Sequence, residues 1–150
     1  MVKNKLETVS NLFEGKEIRS IWDTEKEEYY FNVVDVISAL TDSKRPKRYW
    51  TDLKRDLIKE GSQLYENIVQ LKMKSKKDGK NYPSDTLDTK GILRLIESVP
   101  SPKAEPFKLW LAQMGKERID EIFDPELAIN RAVEYYRKRG YDDKWIKNRL

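Results

Sequence analysis

The sequence predicts an α+β fold in which two short β-hairpins form a small antiparallel sheet packed with about five to six helices. In the first half, residues 69–74 alternate apolar and polar residues with a period of two, and the C-terminal half repeats apolar residues at helical spacing. Charged residues make up 37% of the 150 residues and aromatic residues 11%, which indicates a folded, highly charged domain. We therefore expect one soluble domain, or one domain with a short appendage, and a helical C-terminal half.

The first hairpin is predicted over residues 16–31. The segment EIRSIW forms one strand, DTEKE a polar turn, and EYYF the returning aromatic strand. Asn32 has the side chain of a helix N-cap, and the apolar residues after it recur at helical spacing as far as Leu40. A short core helix is therefore predicted directly after the hairpin, with its end at Thr41 and Asp42.

A second helix is predicted over residues 46–60. Its first residue is proline, which suits the first helical turn, and Gly61 follows its last residue, where glycine commonly ends a helix. Trp50, Leu53 and Leu57 form its apolar seam. This helix is expected to pack on the core along that seam.

The second hairpin is predicted over residues 69–87. Its first strand alternates with a period of two, so its apolar and polar residues lie on opposite faces. The turn contains Asp78 and Gly79, a strong hairpin signal, and the returning strand contains Pro83, which predicts an edge position in the sheet. The apolar face is Val69, Leu71 and Met73, and the polar face is Gln70, Lys72 and Lys74.

The chain after the second hairpin is predicted to be helical. Asp88 or Thr89 caps a helix that ends near residue 99, and Ser101 and Pro102 begin the next one. Pro106 lies either in the first turn of that helix or at its true start. The predicted core positions of this helix, including an extension through the last three, are Phe107, Trp110, Leu111, Met114, Ile119, Ile122 and Phe123.

Two further helices are predicted near the C-terminus. Asp124 and Pro125 open a helix that runs to about residue 139 and ends at Gly140. A last helical pattern extends over residues 143–150, where the given sequence stops inside it. We expect this segment to be the start of a longer C-terminal region.

The residue types in the chain exclude several kinds of site. Cysteine and histidine are both absent, which excludes disulfides, Cys/His zinc sites, cysteine nucleophiles and His-dependent triads. A loose grouping of Asp85, Asp88 and Lys90 leaves a Mg²⁺-dependent nuclease as a minor alternative. In that grouping Asp88 also fits a helix cap and Asp85 a turn residue. We expect no enzymatic activity, no cofactor and no metal site.

Charge and hydropathy limit the classes of partner that the protein can have. The chain has no apolar run of membrane-spanning length, and its N-terminus lacks the apolar core and cleavage pattern of a signal peptide. We therefore expect a cytoplasmic protein with no membrane partner. The formal net charge of +4 and the isoelectric point of about 9.1 are only mildly basic, so a nucleic-acid partner has to be argued from local clusters.

The predicted second helix carries a segregated basic face. At roughly 100° per residue, its cations and one threonine occupy an arc of roughly 120° beside the apolar seam. Such a face can donate to phosphates and base edges. The alternative is a solvated surface in which Arg48 and Arg55 pair with Asp52, which leaves Lys47 and Lys54 as the most available charges. With two residues of the preceding loop, the basic set is Lys44, Arg45, Lys47, Arg48, Thr51, Lys54 and Arg55.

The second hairpin carries a further basic cluster on its polar face and turn, opposed locally by Asp78. A basic β-ribbon can follow a phosphate backbone or enter a groove. The alternative is an edge hairpin whose lysines prevent strand pairing. Helix and hairpin together favour DNA binding. The lysines of the cluster are Lys72, Lys74, Lys76, Lys77 and Lys80.

The segments IRSIWDTEKEEYYFNVVDVISALTDSKRPKRYWTDLKRDL and GILRLIESVPSPKAEPFKLWL resemble the BRO-type N-terminal domain. That family includes baculovirus repeated-ORF proteins, phage antirepressors and the bacterial DNA-damage-inducible protein D. The resemblance implies DNA binding and transcription regulation in a phage, prophage or DNA-damage setting, with no catalytic residues to carry over. We accordingly divide the chain into an N-terminal extension (1–15), a BRO-type DNA-binding domain (16–123) and a C-terminal helical segment (124–150).

A protein-interaction module is the alternative function. An antirepressor of this kind captures a repressor or a recombination protein without contacting DNA. Aromatic residues of the C-terminal helices offer an amphipathic surface for such a partner or for a homodimer. They are Tyr135, Tyr136, Tyr141 and Trp145, and their alternative role is packing against a downstream region.

Overall fold

The computed structural model describes Phe13 and residues 15–150. Its sheet has four antiparallel strands in the order β1-β2-β4-β3, so the two predicted hairpins join into one sheet. The α+β fold predicted from the sequence is confirmed. Of the predicted N-terminal extension, Phe13 and Gly15 are the residues described. The strands are β1 (Ser20–Asp23), β2 (Glu28–Asn32), β3 (Val69–Lys74) and β4 (Asn81–Asp88).

Six α-helices occur in the described part of the chain, in agreement with the predicted number. The C-terminal half is helical, as expected, and short 3₁₀ turns at Tyr65–Asn67 and Pro102–Ala104 precede β3 and the fourth helix. The helices are α1 (Val33–Leu40), α2 (Pro46–Lys59), α3 (Thr89–Ser98), α4 (Glu105–Phe123), α5 (Glu126–Lys138) and α6 (Asp143–Arg149).

Strand β4 lies inside the sheet, between β2 and β3. The edge position predicted from Pro83 is therefore wrong, and β3 is the edge strand of this hairpin. Only residues 86–88 of β4 pair with β2. At Pro83, β4 consequently pairs with β3 alone, so the proline does not disrupt hydrogen bonding to a second strand.

The core of the first compact unit, which extends to Lys108, lies where α1 and α3 pack against β2 and β4. Ile37, Leu87 and Leu95 are fully buried there. Asn32 is 1% exposed and caps α1, because its Oδ1 accepts a hydrogen bond from the N–H of Asp35 at 3.0 Å. The predicted cap therefore also joins the end of β2 to the core.

Helix α4 has the predicted extent but a smaller buried part than expected. Pro106 lies in its first turn, and Phe107 is 4% exposed with its ring centre 5.3 Å from that of Phe13. Trp110 and Leu111 are half-buried. The predicted core positions further along are wrong, because helical periodicity shows an apolar side without showing whether another element covers it. The exposed fractions are 39% for Met114, 55% for Ile119, 65% for Ile122 and 84% for Phe123.

The second compact unit, Leu109–Leu150, contains most of α4 together with α5 and α6. Glu121 is buried, and its two carboxylate oxygens accept hydrogen bonds from the guanidinium of Arg131 at 2.5 and 2.9 Å. This fork joins α4 to α5. Within the described residues no helix is long and apolar enough to cross a membrane.

Candidate nucleic-acid interface

The carboxylate of Asp85 joins helix α2 to the hairpin of β3 and β4. Its Oδ2 accepts hydrogen bonds from Trp50 Nε1 and Lys54 Nζ, both at 2.9 Å, and its Oδ1 accepts one from Gln70 Nε2 at 3.2 Å. Burial by itself raises the pKa of Asp85, but these hydrogen bonds outweigh burial and the pKa lies below its ordinary value. The expectation that Asp85 is a turn residue is wrong, because it lies within β4.

The strand register places hairpin lysines on the same face as this junction. Asp85 and Gln70 are direct partners in the ladder between β4 and β3. Because alternate residues of a strand share a face, Lys72 and Lys74 lie on the face that carries Gln70 and Asp85. Lys72 is one step of about 7 Å along the strand from Gln70. The basic helix and the lysine hairpin, predicted separately, therefore meet at one surface.

Two arginines of α2 form exposed ion pairs with one carboxylate. Arg48 Nε lies 3.6 Å from Asp52 Oδ2, and Arg55 Nη2 lies 3.3 Å from Asp52 Oδ1. The pairing predicted from helical spacing is thus confirmed. Exposed pairs of this kind contribute little to stability, so a phosphate can replace Asp52 at little cost. The hydroxyl of Thr51 donates to the carbonyl of Lys47 at 2.9 Å, and its oxygen can still accept.

Lys54 differs from the other predicted contact residues. Its ammonium is bound to Asp85 and lies 6.0 Å from the ring centre of Tyr65, and its side chain is 29% exposed. The expectation that Lys54 is among the most available charges is therefore wrong. Its partner is 31 residues away in the chain, and helical periodicity gives no information about so distant a contact. Three cations in the loop before α2 and in its first turn are exposed and have no ion-pair partner within the described part of the chain: Lys44, Arg45 and Lys47.

The acidic residue in the hairpin turn is already engaged. Asp78 accepts hydrogen bonds from the N–H of Lys80 at 2.9 Å and from the hydroxyl of Tyr82. The Tyr82 hydroxyl is the main cause that lowers the pKa of Asp78. Lys76 Nζ lies 3.2 Å from the carboxylate of Glu17. The other hairpin lysines are exposed and have no ion-pair partner among the residues described: Lys72, Lys74, Lys77 and Lys80.

Arg19 anchors the far end of the hairpin. Its guanidinium pairs with Asp35 at 2.8 Å, which raises the pKa of Arg19, and its Nη1 donates to the carbonyl of Lys74 at 3.1 Å. An open cleft of about 690 Å³ lies between residues 17–21 and residues 72–76, with Gly79 on its wall. Sequence reasoning missed this anchor, because Arg19 and Asp35 are 16 residues apart and form no local pattern.

The two carboxylates considered for a nuclease site do not point toward a common site. Asp88 caps α3 by accepting the N–H of Gly91 at 2.8 Å. Asp85 is three residues earlier in the same strand and lies on the opposite face. Among the described residues no group of three or more His, Cys, Asp or Glu side chains is arranged to hold a metal ion.

The family model of the BRO family, N-terminal domain, matches residues 17–117 of the 150. The chain belongs to the BRO family. The resemblance seen in the sequence is confirmed, and the BRO-family match covers both hairpins, helices α1 to α3 and most of α4. No curated protein and no solved structure matches the chain.

Proposed function

We propose that this BRO-family chain is a DNA-binding regulatory domain of a phage antirepressor or a DNA-damage-inducible protein, acting within residues 16–123. The proposal rests on the attachment of Trp50 and Lys54 to Asp85, because that contact sets a basic helix beside a lysine-bearing strand. The membership in the BRO family supports the same class of function.

In the proposed complex the cations of the hairpin and of the start of α2 contact phosphates. Lys72, Lys74 and Lys47 are exposed and unpaired in the described part of the chain, so no internal ion pair has to break. Arg48 and Arg55 exchange Asp52 for phosphates or base edges. Because phosphate contacts dominate, the affinity is steeply dependent on salt.

Fluorescence anisotropy with a labelled duplex at several salt concentrations tests the proposal. Replacing Lys72→Ala together with Lys74→Ala should weaken binding and reduce the slope of log affinity against log salt by about 1.8, or about 0.9 for each lost phosphate contact. The control is Lys26→Ala with Lys90→Ala, which removes the same charge from the turn between β1 and β2 and from α3, outside α2 and the second hairpin. Absence of binding at low salt, or equal losses in both double variants, would contradict the proposal.

A protein-interaction function is the second candidate, and exposed apolar side chains on α4 and α5 favour it. Such side chains mark protein contacts when they form a patch. In this function the C-terminal helices capture a repressor or a recombination protein, or pair two copies of the chain. The residues that are more than half exposed are Leu109, Ile119, Ile122, Phe123 and Ile129.

A pull-down with a charge-reversed α2 separates the two functions. The variant Lys47→Glu with Arg48→Glu leaves α4 to α6 unchanged and should abolish duplex binding. Retained capture of a repressor by this variant would assign protein binding to the C-terminal helices. Loss of both repressor capture and DNA binding would show that one surface carries both functions.

A further inference from the structure

The turn between α5 and α6 presents an aromatic pair to solvent. Gly140 in this turn has φ +90°, and the ring of Tyr141 stacks on that of Trp145 with centres 4.0 Å apart and planes at 18°. Tyr136 contacts both rings edge-on at 5.7 and 5.2 Å. Tyr141 is 44% exposed and Trp145 38%, whereas Ile146 is 4% exposed. The two rings are thus already stacked in the free protein, and both are partly exposed to solvent.

Cations flank this pair on the same side of α6. At roughly 100° per residue, Lys144, Trp145, Asn148 and Arg149 fall within an arc of roughly 140°, with the buried Ile146 outside it. All four residues are exposed, and neither Lys144 nor Arg149 has an ion-pair partner in the part of the chain that the structure describes. We call the exposed set the α6 face: Tyr141, Lys144, Trp145, Asn148 and Arg149.

The nearby carboxylates are already engaged. Asp142 caps α6 by accepting the N–H of Trp145 at 2.7 Å. Asp143 lies outside the arc and accepts from Arg137 Nε at 3.1 Å. Neither carboxylate therefore forms an ion pair with Lys144 or Arg149, whose charges lie beside a partly exposed aromatic surface.

Aromatic rings beside cations match the chemistry of an unpaired nucleic-acid strand. Each base of a single strand offers a π face for stacking, and each phosphate offers a negative charge, whereas a duplex hides its base faces. A protein partner fits less well, because lysine is depleted in the cores of protein interfaces. We infer that the α6 face binds single-stranded nucleic acid, with a base stacked on the Tyr141–Trp145 pair and phosphates contacted by Lys144 and Arg149.

This site uses residues different from those of the proposed duplex interface. Variants of the second hairpin therefore distinguish the two proposals. Lys72→Ala with Lys74→Ala should weaken single-strand binding far less than duplex binding. If that variant lost as much affinity for the single strand as for the duplex, the single strand would bind at the hairpin and the inference would be overturned.

The charge part of the inference is tested by anisotropy of the full chain with labelled oligothymidylate of about 10 nucleotides. Lys144→Ala with Arg149→Ala should reduce the slope of log affinity against log salt by about 1.4, or about 0.7 for each phosphate of a single strand. The matched control is Lys138→Ala with Lys147→Ala, because both residues lie on the helix sides away from the aromatic pair. Equal reductions in the two double variants would overturn the inference.

The stacking part is tested by comparing oligothymidylate with an abasic oligonucleotide of the same length. The abasic strand should bind roughly tenfold or more weakly, because stacking on an aromatic ring is lost with each base. Trp145→Phe should retain most of the affinity and Trp145→Ala should lose it, with circular dichroism to confirm that helix content is kept. Equal affinity for the abasic strand, or for a polyglutamate peptide of matched charge, would show that the face recognises charge alone and would overturn the inference, whether or not Trp145→Ala folds.

Discussion

The Nζ atom of Lys54 in α2 lies 2.9 Å from Oδ2 of Asp85 in β4. The two side chains are 29% and 11% exposed, so this pair is shielded from water far more than the pairs of Arg48 and Arg55 with Asp52. Removing one partner of a shielded pair leaves the other poorly solvated. Lys54 therefore orients the basic helix, while its neighbours on α2 remain available to a polyanion.

Replacement of Asp85 is expected to destabilise the domain. Asp85→Asn removes the charge that holds Lys54 and weakens the bonds from Trp50 and Gln70, so the free energy of unfolding should fall by about 2 kcal/mol. Urea denaturation measures this loss. The control is Asp52→Asn, which removes a carboxylate whose pairs are exposed and should change stability little. Similar losses in both variants would contradict the assigned role of Asp85.

The same carboxylate should make stability depend on acid. The folded-state pKa of Asp85 is lowered, so folding favours its ionised form. Its contribution is complete above the unfolded pKa of about 3.9 and is lost as the pH falls through the folded value. Unfolding free energies measured from neutral to acidic pH should show the difference between wild type and Asp85→Asn shrinking below about pH 3.9. A difference that stays constant over that range would exclude the proposed linkage.

Removal of Asp52 should strengthen binding of duplex DNA. Asp52→Ala frees the guanidinium groups of Arg48 and Arg55, so the affinity should rise about threefold, the size expected of one exposed ion pair. Asp56→Ala in the same helix is the control, because Asp56 forms no ion pair among the described residues. Anisotropy at low salt compares the two variants. An equal gain in both would assign the effect to net charge alone.

The two ends of α4 should respond differently to truncation of phenylalanine. Phe107 is 4% exposed and Phe123 is 84% exposed. Phe107→Ala should lower the free energy of unfolding by about 3 to 5 kcal/mol, as for other buried aromatic residues. Phe123→Ala should change it by less than about 0.5 kcal/mol. A large loss at Phe123 in urea denaturation, dependent on protein concentration, would indicate that a second copy covers this end of the helix.

Elements specified by a few neighbouring residues could be predicted from the sequence. The sequence predicts helix caps at Asn32 and at Asp88 or Thr89, and in the structure Asn32 and Asp88 each accept a backbone N–H three residues further on. Gly79 was expected in the hairpin turn and has φ +73°. Caps and turns depend on contacts over three or four residues, so the local pattern contains the required information.

Strand order could not be predicted in the same way. Pro83 indicates that β4 has a paired strand on one side only at that residue, but it does not show which part of β4 pairs with β2. The register of Phe31 with Leu87 depends on burial of both side chains in a core made by distant helices. Pairing between separate hairpins is a property of the whole sheet.

The sequence by itself determined the α+β class, the membership in the BRO family, the positions of the elements and the residues that carry charge. The tertiary structure decided which of those charges remain unpaired and which apolar faces remain uncovered. Lys54 and Lys47 are both helical cations seven residues apart, yet only Lys54 meets a carboxylate from a distant strand. Phe107 and Phe123 belong to one helix, yet only Phe107 is covered. Burial and ion pairing join residues far apart in the chain, and that is why folding, rather than local pattern, decides them.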